Sequence, residues 1–252
     1  MKSFEVILTP ADLPALASRD LSNALCVVFD VLRATSTFVT ALHRGAKAIV
    51  PVSGIAEAVA IRRRQPDALL GGERNGVRIR AAQAGGIDFD LGNSPREYTP
   101  EKVRGKIIVS TTTNGTRALR ACAGAQTVLA ASFLNLTATA RTVQRLQTQA
   151  LVLVCAGTRD NIATEDVLAA GALGEMLLPN SDGCVVSDSA ETALNAWRTA
   201  KSNLFAAVAD AENARRLLAI PELREDVAFC LQPDVFGLTA ELGRDGAIRI
   251  SI

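Results

Sequence analysis

The sequence has very little histidine, the residue on which many active sites depend. It contains one histidine, His43, and aromatic residues make up only 4% of the chain. A Ser–His–Asp triad, a histidine nucleophile and a zinc site with several histidines are therefore excluded or nearly so. His43 precedes Gly45 at an expected helix end, where a cation is stabilised, and we interpret it as structural. Any catalysis must then use carboxylates, hydroxyls, thiols, lysines or arginines, together with a hard metal ion.

Cysteine pairs, excess charge and long apolar runs are also missing. The five cysteines are scattered without a C-x-x-C pair, which argues against a disulfide framework and a zinc knuckle. The net charge is +1, so neither nucleic acid nor a membrane surface is indicated as a partner. Apolar runs such as 150–156 are too short to cross a bilayer, and no signal-peptide core is visible. We expect a cytoplasmic protein.

What the sequence does contain is a repeated order of apolar strand, polar turn and helix. This order predicts an α/β fold with three layers (α/β/α) and a mostly parallel sheet, followed by a more helical C-terminal part. In that part, segments 226–231 and 247–252 are predicted to be strands. We expect a single unit, 1–252, and leave open a sub-division near residue 180. The earlier strands are predicted over residues 4–8, 25–29, 48–52, 68–70, 106–109, 127–130 and 150–155.

Polar residues collect where these strands end. Asp30, Glu73 and Arg74 come directly after strands, and so do the turns 111–117 and 158–166. In open α/β sheets, ligands bind at the carboxyl ends of the strands. The sequence therefore predicts that these segments meet at one site.

The turn 110–117 is the most informative of them. It reads Ser-Thr-Thr-Thr-Asn-Gly-Thr-Arg, and a helix is expected to begin at Thr116. The free N–H groups and the dipole at a helix start favour an anion, and Asn114-Gly115 allows a left-handed backbone. One threonine would be enough to cap the helix. We therefore favour a binding site for phosphate or sulfonate at this turn.

Several known ways of handling phosphate are excluded by their motifs. The phosphate-binding loop of nucleotide triphosphatases is absent. Asp30 is followed by Val31-Leu32, so the second carboxylate of haloacid-dehalogenase phosphatases is missing, and neither Cys26 nor Cys155 has an arginine at the tyrosine-phosphatase spacing. Carboxylates remain as candidate ligands of Mg²⁺, and Arg33, Arg74 and Arg117 remain as candidates for binding oxyanions.

Five separated motifs follow one another along the chain. They are Asp-Val-Leu-Arg-Ala-Thr-Ser at 30–36, Gly-Gly-Glu-Arg at 71–74, Phe-Asp-Leu-Gly-Asn-Ser-Pro at 89–95 with Glu97 and Tyr98, Thr-Thr-Asn-Gly-Thr at 112–116, and Cys-Ala-Gly-Thr at 155–158 with Glu165 and Asp166. In this order, the motifs resemble those of the 2-phosphosulfolactate phosphatase family. The resemblance runs from about residue 27 to residue 171 and continues more weakly to the C-terminus. Segments 77–88 and 159–163 depart from the family pattern, so phosphatase chemistry is carried over more readily than the substrate.

The resemblance implies a Mg²⁺-dependent phosphatase with an α/β fold unrelated to the common phosphatase folds. The family reaction converts 2-phospho-3-sulfolactate to 3-sulfolactate and phosphate, a step of coenzyme M biosynthesis. A homo-oligomer is also implied. Because this substrate carries phosphate, carboxylate and sulfonate, a cleft rich in hydroxyls and arginines is physically reasonable.

The expected site combines these residues. The expected catalytic residues are Asp30, Arg33, Glu73 and Arg74. The expected metal ligands are Asp30, Glu73, Glu165 and Asp166. The expected substrate-binding residues are Thr35, Asn93, Ser94, Thr112, Thr113, Asn114, Gly115, Thr116, Arg117 and Thr158.

Three alternatives stay open at this point. The nucleophile is either a metal-activated water, which is the default, or Asp30 itself through a phosphoenzyme. The substrate is either phosphosulfolactate or another small phosphorylated hydroxy acid. A non-catalytic anion-binding protein is the hypothesis from a different class, although clustered carboxylates repel anions unless a metal intervenes.

Overall fold

The computed structural model describes residues 1–178 and 183–251. The sub-division considered near residue 180 and the last residue of the segment 247–252 lie outside the described residues. Within this part of the chain, eleven strands form one sheet: β1 Ser3–Ile7, β2 Ala24–Phe29, β3 Ala48–Pro51, β4 Leu69–Arg74, β5 Val77–Arg78, β6 Ile107–Thr111, β7 Thr127–Ala131, β8 Ala150–Cys155, β9 Val185–Val186, β10 Ala240–Leu242 and β11 Ile248–Ile250.

Helices connect most of these strands and dominate the C-terminal part. None of the helices in the described ranges has the length and apolar character needed to span a membrane. The helices of these ranges are α1 Leu13–Ala17, α2 Ala34–His43, α3 Ile55–Arg64, α4 Pro100–Val103, α5 Gly115–Ala121, α6 Leu136–Leu146, α7 Thr164–Leu177, α8 Asp188–Ala200, α9 Leu204–Ala209, α10 Glu212–Leu218 and α11 Arg224–Cys230.

The sheet consists of two parallel blocks joined by an antiparallel hairpin. Its strand order is β5-β4-β6-β3-β11-β10-β7-β2-β8-β1-β9. Strands β4, β6 and β3 pair in parallel, as do β7, β2, β8, β1 and β9. The hairpin β10–β11 lies between the blocks, with β10 on β7 and β11 on β3, where Ile248 faces Ile49. The prediction of an α/β fold with a mostly parallel sheet is confirmed.

Alternate residues of β2 pack against helices on opposite faces of the sheet. Leu25, Val27 and Phe29 belong to a core cluster with helices α6, α7 and α8. Cys26 and Val28 belong to a second cluster with α1, α2 and α5. A strand that is apolar on both sides needs this double cover, and the packing is consistent with the three-layer arrangement. The expectation of a single unit stays a prediction.

The prediction of a strand over 226–231 is wrong, because this segment belongs to helix α11. A short apolar run does not by itself distinguish strand from helix. Val227, Cys230 and Leu231 are buried, and their spacing matches one helical face. His43, interpreted as structural, stacks on Phe236 with ring centroids 4.1 Å apart and does not line the cavity described next.

Candidate active site

The ends of strands β2, β4, β6 and β8 converge on one polar cavity, and helix α10 contributes to its wall. This is the convergence that the strand-end pattern predicts. Both parallel blocks contribute, since β4 and β6 belong to one block and β2 and β8 to the other. The lining residues are Asp30, Leu32, Arg33, Glu73, Asn75, Gly76, Asn93, Thr112, Thr113, Asn114, Thr158, Arg159, Arg216 and Leu217.

Asp30 is a nearly buried carboxylate directly after β2. Its Oδ1 accepts the N–H of Ala34 at 3.1 Å. Burial raises its pKa from 3.8 to about 7; the Ala34 and Gly115 N–H groups oppose the rise, and the negative charges of Glu73 and Glu165 add to it. Asp30 can therefore hold or release a proton near neutral pH.

Gly115 allows the turn after β6 to approach Asp30 closely. A Cβ at this position would lie 2.7 Å from Asp30 Oδ2 and 2.8 Å from the Cβ of Ala34. No real side chain tolerates such contacts without displacement. The glycine of the hydroxyl-rich turn thus brings that turn against the carboxylate that ends β2.

Glu73, at the end of β4, ties two cavity segments together. Its Oε1 accepts both the N–H and the hydroxyl of Thr113 at 2.8 Å, and its Oε2 accepts the N–H of Gly76 at 2.7 Å. The carboxylate therefore stands between the turn 112–114 and the backbone at Gly76. Its position fixes the spacing of these two walls.

Glu165, in the first turn of α7, is buried beside the cavity wall. Its Oε1 accepts the Nδ2 of Asn213 at 2.7 Å, and the same Nδ2 lies 2.6 Å from Thr158 Oγ1. Its Oε2 is buried and has no hydrogen-bond partner in the described part of the chain. Burial raises the pKa of Glu165, while Asn213 and Arg216 oppose that rise. A cation or a proton would satisfy this oxygen.

Asp166 is bound by the backbone. Its two carboxylate oxygens accept the N–H groups of Val31 at 2.8 Å and of Gly157 at 3.0 Å. It therefore links the turn after β2 to the turn after β8. Burial and the charges of Glu165 and Asp30 raise its pKa well above the usual range. Its role as a metal ligand stays a prediction.

Arg33 forms a buried ion pair. Its Nη1 lies 2.6 Å from Asp226 Oδ2, and its Nη2 donates to the carbonyl of Gly76 at 2.6 Å. Asp226 also accepts the hydroxyl of Ser94 at 2.8 Å. Ser94, expected to bind substrate, here anchors Asp226, and Arg33 reaches the cavity with its charge already compensated.

Some expected site residues do not line the cavity. The guanidinium of Arg74 donates to the carbonyls of Glu73 and Thr111 and to the Thr111 hydroxyl. Arg117 is half exposed and lies 3.8 Å from a carboxylate oxygen of Asp160. Their roles as anion ligands stay predictions that this arrangement does not support.

Thr35 and Thr116 are also held by their own neighbourhoods. The Thr35 hydroxyl donates to the carbonyl of Asp30 and accepts its N–H, so it shapes the turn after β2. The Thr116 hydroxyl donates to the carbonyl of Thr112 at 3.1 Å. Asn93 lines the cavity, and its carbonyl accepts the hydroxyl of Thr37. Direct binding of substrate by Thr35 and Thr116 stays a prediction.

Unsatisfied polar atoms are concentrated at this cavity. Within residues 1–178 and 183–251, five buried side-chain atoms lack a hydrogen-bond partner, and only Ser132 Oγ belongs to a residue elsewhere in the fold. Buried polar groups normally have partners, so this concentration marks a place that a polar ligand completes. The other four atoms are Thr112 Oγ1, Asn114 Oδ1, Glu165 Oε2 and Arg216 Nε.

Comparison with known proteins gives the family. The family model described as 2-phosphosulpholactate phosphatase matches residues 9–244. The chain belongs to the 2-phosphosulfolactate phosphatase family. A relative from Caldanaerobacter subterraneus subsp. tengcongensis is 38% identical, covering 94% of this chain and 95% of the relative. One from Thermotoga petrophila is 40% identical over 83% of this chain and 85% of the relative. Both are named "Probable 2-phosphosulfolactate phosphatase".

Membership of this phosphatase family confirms two predictions. The first is the resemblance itself, which the motifs at 30–36, 71–74, 89–95, 112–116 and 155–158 carried. The second is that the chain is an enzyme, a phosphoric monoester hydrolase. The motif residues of this family member also supply most of the cavity wall.

Carboxylate oxygens are the kind of ligand that Mg²⁺ takes, and the binding of Mg²⁺ by this phosphatase stays a prediction. In the described ranges, no group of three or more His, Cys, Asp or Glu side chains is arranged to hold a metal. Mg²⁺ keeps several waters and is usually held by one or two carboxylates with substrate phosphate. Asp30, with its raised pKa, and Glu165, with an unpartnered buried oxygen, are such carboxylates. Neighbouring Glu73 adds negative charge, which a cation would offset.

Sequence analysis missed the residues that the C-terminal helices bring to this site. Asn213 and Arg216 come from α10, and Asp226 comes from α11. No local motif surrounds them, so their chemistry is visible only through long-range contacts. One usable signal was present, because an Asp at the start of an apolar run is unusual unless it has a buried partner. Asn75 and Arg159 also line the cavity without having been expected there.

Proposed function

We propose that this protein is a Mg²⁺-dependent phosphatase that hydrolyses 2-phospho-3-sulfolactate to 3-sulfolactate and phosphate, as in coenzyme M biosynthesis. One observation carries the proposal: residues with unsatisfied buried polar atoms line the same cavity as Asp30, whose burial raises its pKa to about 7. The names of the relatives support the substrate. A cytoplasmic location and a homo-oligomeric state belong to the same proposal.

The turn 112–114 binds the phosphoryl group in this proposal. The hydroxyl of Thr112 and the side-chain oxygen of Asn114 are buried and unpartnered. The Thr112 hydroxyl can donate to a phosphate oxygen, whereas the unpartnered Asn114 oxygen is an acceptor, which a water molecule or a metal ion would satisfy. Fixed donors aimed at an oxyanion stabilise the negative charge that develops as the phosphate ester breaks.

Asp30 handles the proton in the reaction. Its carboxylate takes a proton from the attacking water as the new P–O bond forms. As the old P–O bond breaks, Asp30 returns that proton to the leaving oxygen, so that the products are the alcohol and inorganic phosphate. The alternative, in which an Asp30 oxygen attacks phosphorus itself, stays open. Asp30 and Glu165, with Glu73 as a further ligand, would hold Mg²⁺, which would supply Lewis-acid polarisation of the phosphoryl group.

The direct test is phosphate release from 2-phosphosulfolactate, with Mg²⁺ and with EDTA, beside a panel of other phosphorylated hydroxy acids. We expect Mg²⁺-dependent release that the variant Asp30→Asn loses by about a thousandfold or more. If phosphate is released only from a different member of the panel, the proposed phosphatase chemistry stands and the proposed substrate is wrong. A folded protein that releases phosphate from nothing would favour the non-catalytic anion-binding protein.

A further inference from the structure

Arg216 is a cavity residue to which the proposed chemistry gives no role. It comes from helix α10, and its Nη2 donates to the side-chain oxygen of Asn213 at 2.7 Å. Its Nε is buried without a partner in the described part of the chain. That N–H belongs to a residue that lines the cavity. Leaving a buried N–H group of a cation without an acceptor costs free energy. An anion in the cavity would supply the missing acceptor.

Arg216 differs from the other cavity arginines because no carboxylate oxygen pairs with it directly in the described ranges, although its charge acts on nearby Glu165. Arg33 is paired with buried Asp226 at 2.6 Å. Arg159 is 75% exposed and lies 3.9 Å from Glu212, so solvent screens it. In residues 1–178 and 183–251, Arg216 bonds only to the neutral amide of Asn213 and forms no ion pair.

Asn213 fixes the direction in which Arg216 points. Its amide nitrogen donates to Glu165 and Thr158, while its amide oxygen accepts from Arg216. A flipped amide would set its oxygen against the Glu165 carboxylate and its nitrogen against the guanidinium. The orientation is therefore determined by its neighbours, and the guanidinium is held in place before a ligand arrives.

Glu73 separates Arg216 from the turn that binds phosphate. One oxygen of Glu73 accepts from Thr113, and the other accepts from the N–H of Gly76. A Cβ at Gly76 would lie 3.6 Å from Arg216 Nε. Along the wall, the order is thus phosphate turn, Glu73 and then Arg216. A phosphoryl group on the turn leaves Arg216 free for another anionic group of the same substrate.

We infer that Arg216 is a specificity-determining residue: it binds a non-reacting carboxylate or sulfonate of the substrate and so selects phosphate monoesters that carry a second anion. The inference rests on the proposed function and deepens it. A planar guanidinium forms paired, directional bonds with carboxylate and sulfonate oxygens. A phosphate ester without a second anion would leave the buried N–H unpaired and would be disfavoured.

The test measures binding of two probes, 3-sulfolactate and inorganic phosphate, by titration calorimetry in Mg²⁺. Arg216→Met should weaken the binding of 3-sulfolactate by about 30-fold or more and should leave the affinity for phosphate within about threefold of the wild-type value. Arg216→Lys keeps the charge but not the paired geometry, so its affinity for 3-sulfolactate should lie between those of the wild type and Arg216→Met. Arg215→Met removes an exposed arginine from the same helix and should change neither affinity.

Kinetics with matched esters complete the experiment. Arg216→Met should raise KM for 2-phosphosulfolactate more than it lowers kcat, and 2-phospholactate, which lacks the sulfonate, shows which of the two anions Arg216 binds. If KM rises for both esters, the anion that Arg216 binds is the carboxylate. If KM rises for 2-phosphosulfolactate alone, that anion is the sulfonate. Equal weakening of both probes, or a wild-type protein that binds phosphate but not 3-sulfolactate, would overturn the inference. If Arg216→Met does not fold, the same comparison with Arg216→Lys decides.

The two proposals fail in different ways. A wild-type protein that releases no phosphate from 2-phosphosulfolactate contradicts the proposed function. If that protein still binds 3-sulfolactate through Arg216, the inference about the second anion stands alone. If phosphate is released and Arg216→Met binds 3-sulfolactate normally, only the inference fails.

Discussion

Removing the charge of Asp226 should destabilise the protein strongly, although this residue lies outside every motif of the sequence. Asp226 is 0% exposed, Arg33 is 3% exposed, and their charged atoms lie 2.6 Å apart. Asp226→Asn keeps the shape but can turn an N–H₂ group toward a guanidinium that also donates. Removing one partner of such a pair costs about 3–5 kcal/mol, because the other charge stays buried and unpaired.

The expected shift in melting temperature follows from the size of the chain. For a protein of this length, 1 kcal/mol corresponds to about 2–4 °C, so Asp226→Asn should melt about 6–20 °C lower. Differential scanning calorimetry measures this directly. The matched control is Glu225→Gln on the same helix, since Glu225 is 68% exposed where it pairs with Arg96. Such a surface pair is worth less than about 1 kcal/mol.

A double variant separates stability from chemistry. Arg33→Met with Asp226→Leu removes both charges, and an apolar pair of similar volume is often as stable as the ion pair. This variant should regain part of the lost melting temperature; the rest stays lost because the Ser94 hydroxyl and the Gly76 carbonyl also lose their partners. Its phosphate release then reports on the catalytic role expected of Arg33. A melting temperature of Asp226→Asn within about 2 °C of the wild type would refute the reasoning.

Three further predictions concern the carboxylates. In EDTA, thermal stability should fall as the pH rises from about 4 to about 7, because the pKa of Asp30 is 3.8 in the unfolded chain and about 7 in the folded protein. Asp30→Asn should make this fall shallower without abolishing it, since the pKa values of Glu165 and Asp166 are raised as well. Gly115→Ala should lower kcat about tenfold or more in phosphate-release assays by displacing Asp30, whereas Gly124→Ala, with open space around its Cβ, should not. Asp166→Asn should cost about 1–3 kcal/mol in denaturant unfolding, because both its oxygens accept backbone N–H groups; unchanged stability would contradict that role.

The strand-end half of the site could be predicted because its signals are local. Asp30 and Glu73 directly follow or end apolar strands, and the turn 112–114 has an unusual density of hydroxyls. Parallel strands bring such ends to one edge of a sheet. The structure adds that these ends come from two blocks of the sheet, which the order of the strands along the sequence does not reveal.

The other half depends on contacts between distant parts of the sequence. Arg216 and Asp226 were not expected at the site, because ordinary helical surroundings give no hint of which buried partner each one meets. Arg74 and Arg117, whose expected roles stay predictions, show the opposite situation. Their neighbours in sequence point to an anion, yet the backbone turns each side chain toward local carbonyl or surface partners. Adjacency in sequence fixes where a Cα lies far better than where a long side chain ends.

The hairpin β10–β11 has a consequence for how the protein is made. The strands of both parallel blocks precede it in the sequence, so a ribosome completes both before the strands that join them emerge. Helices α10 and α11, which carry Arg216 and Asp226, also come late. Domains acquire their long-range contacts only after the participating segments have been synthesised. We therefore expect the nascent enzyme to stay inactive until α10, α11 and the hairpin have been translated, and a chain terminated before α10 would contain every recognisable motif without a working cavity.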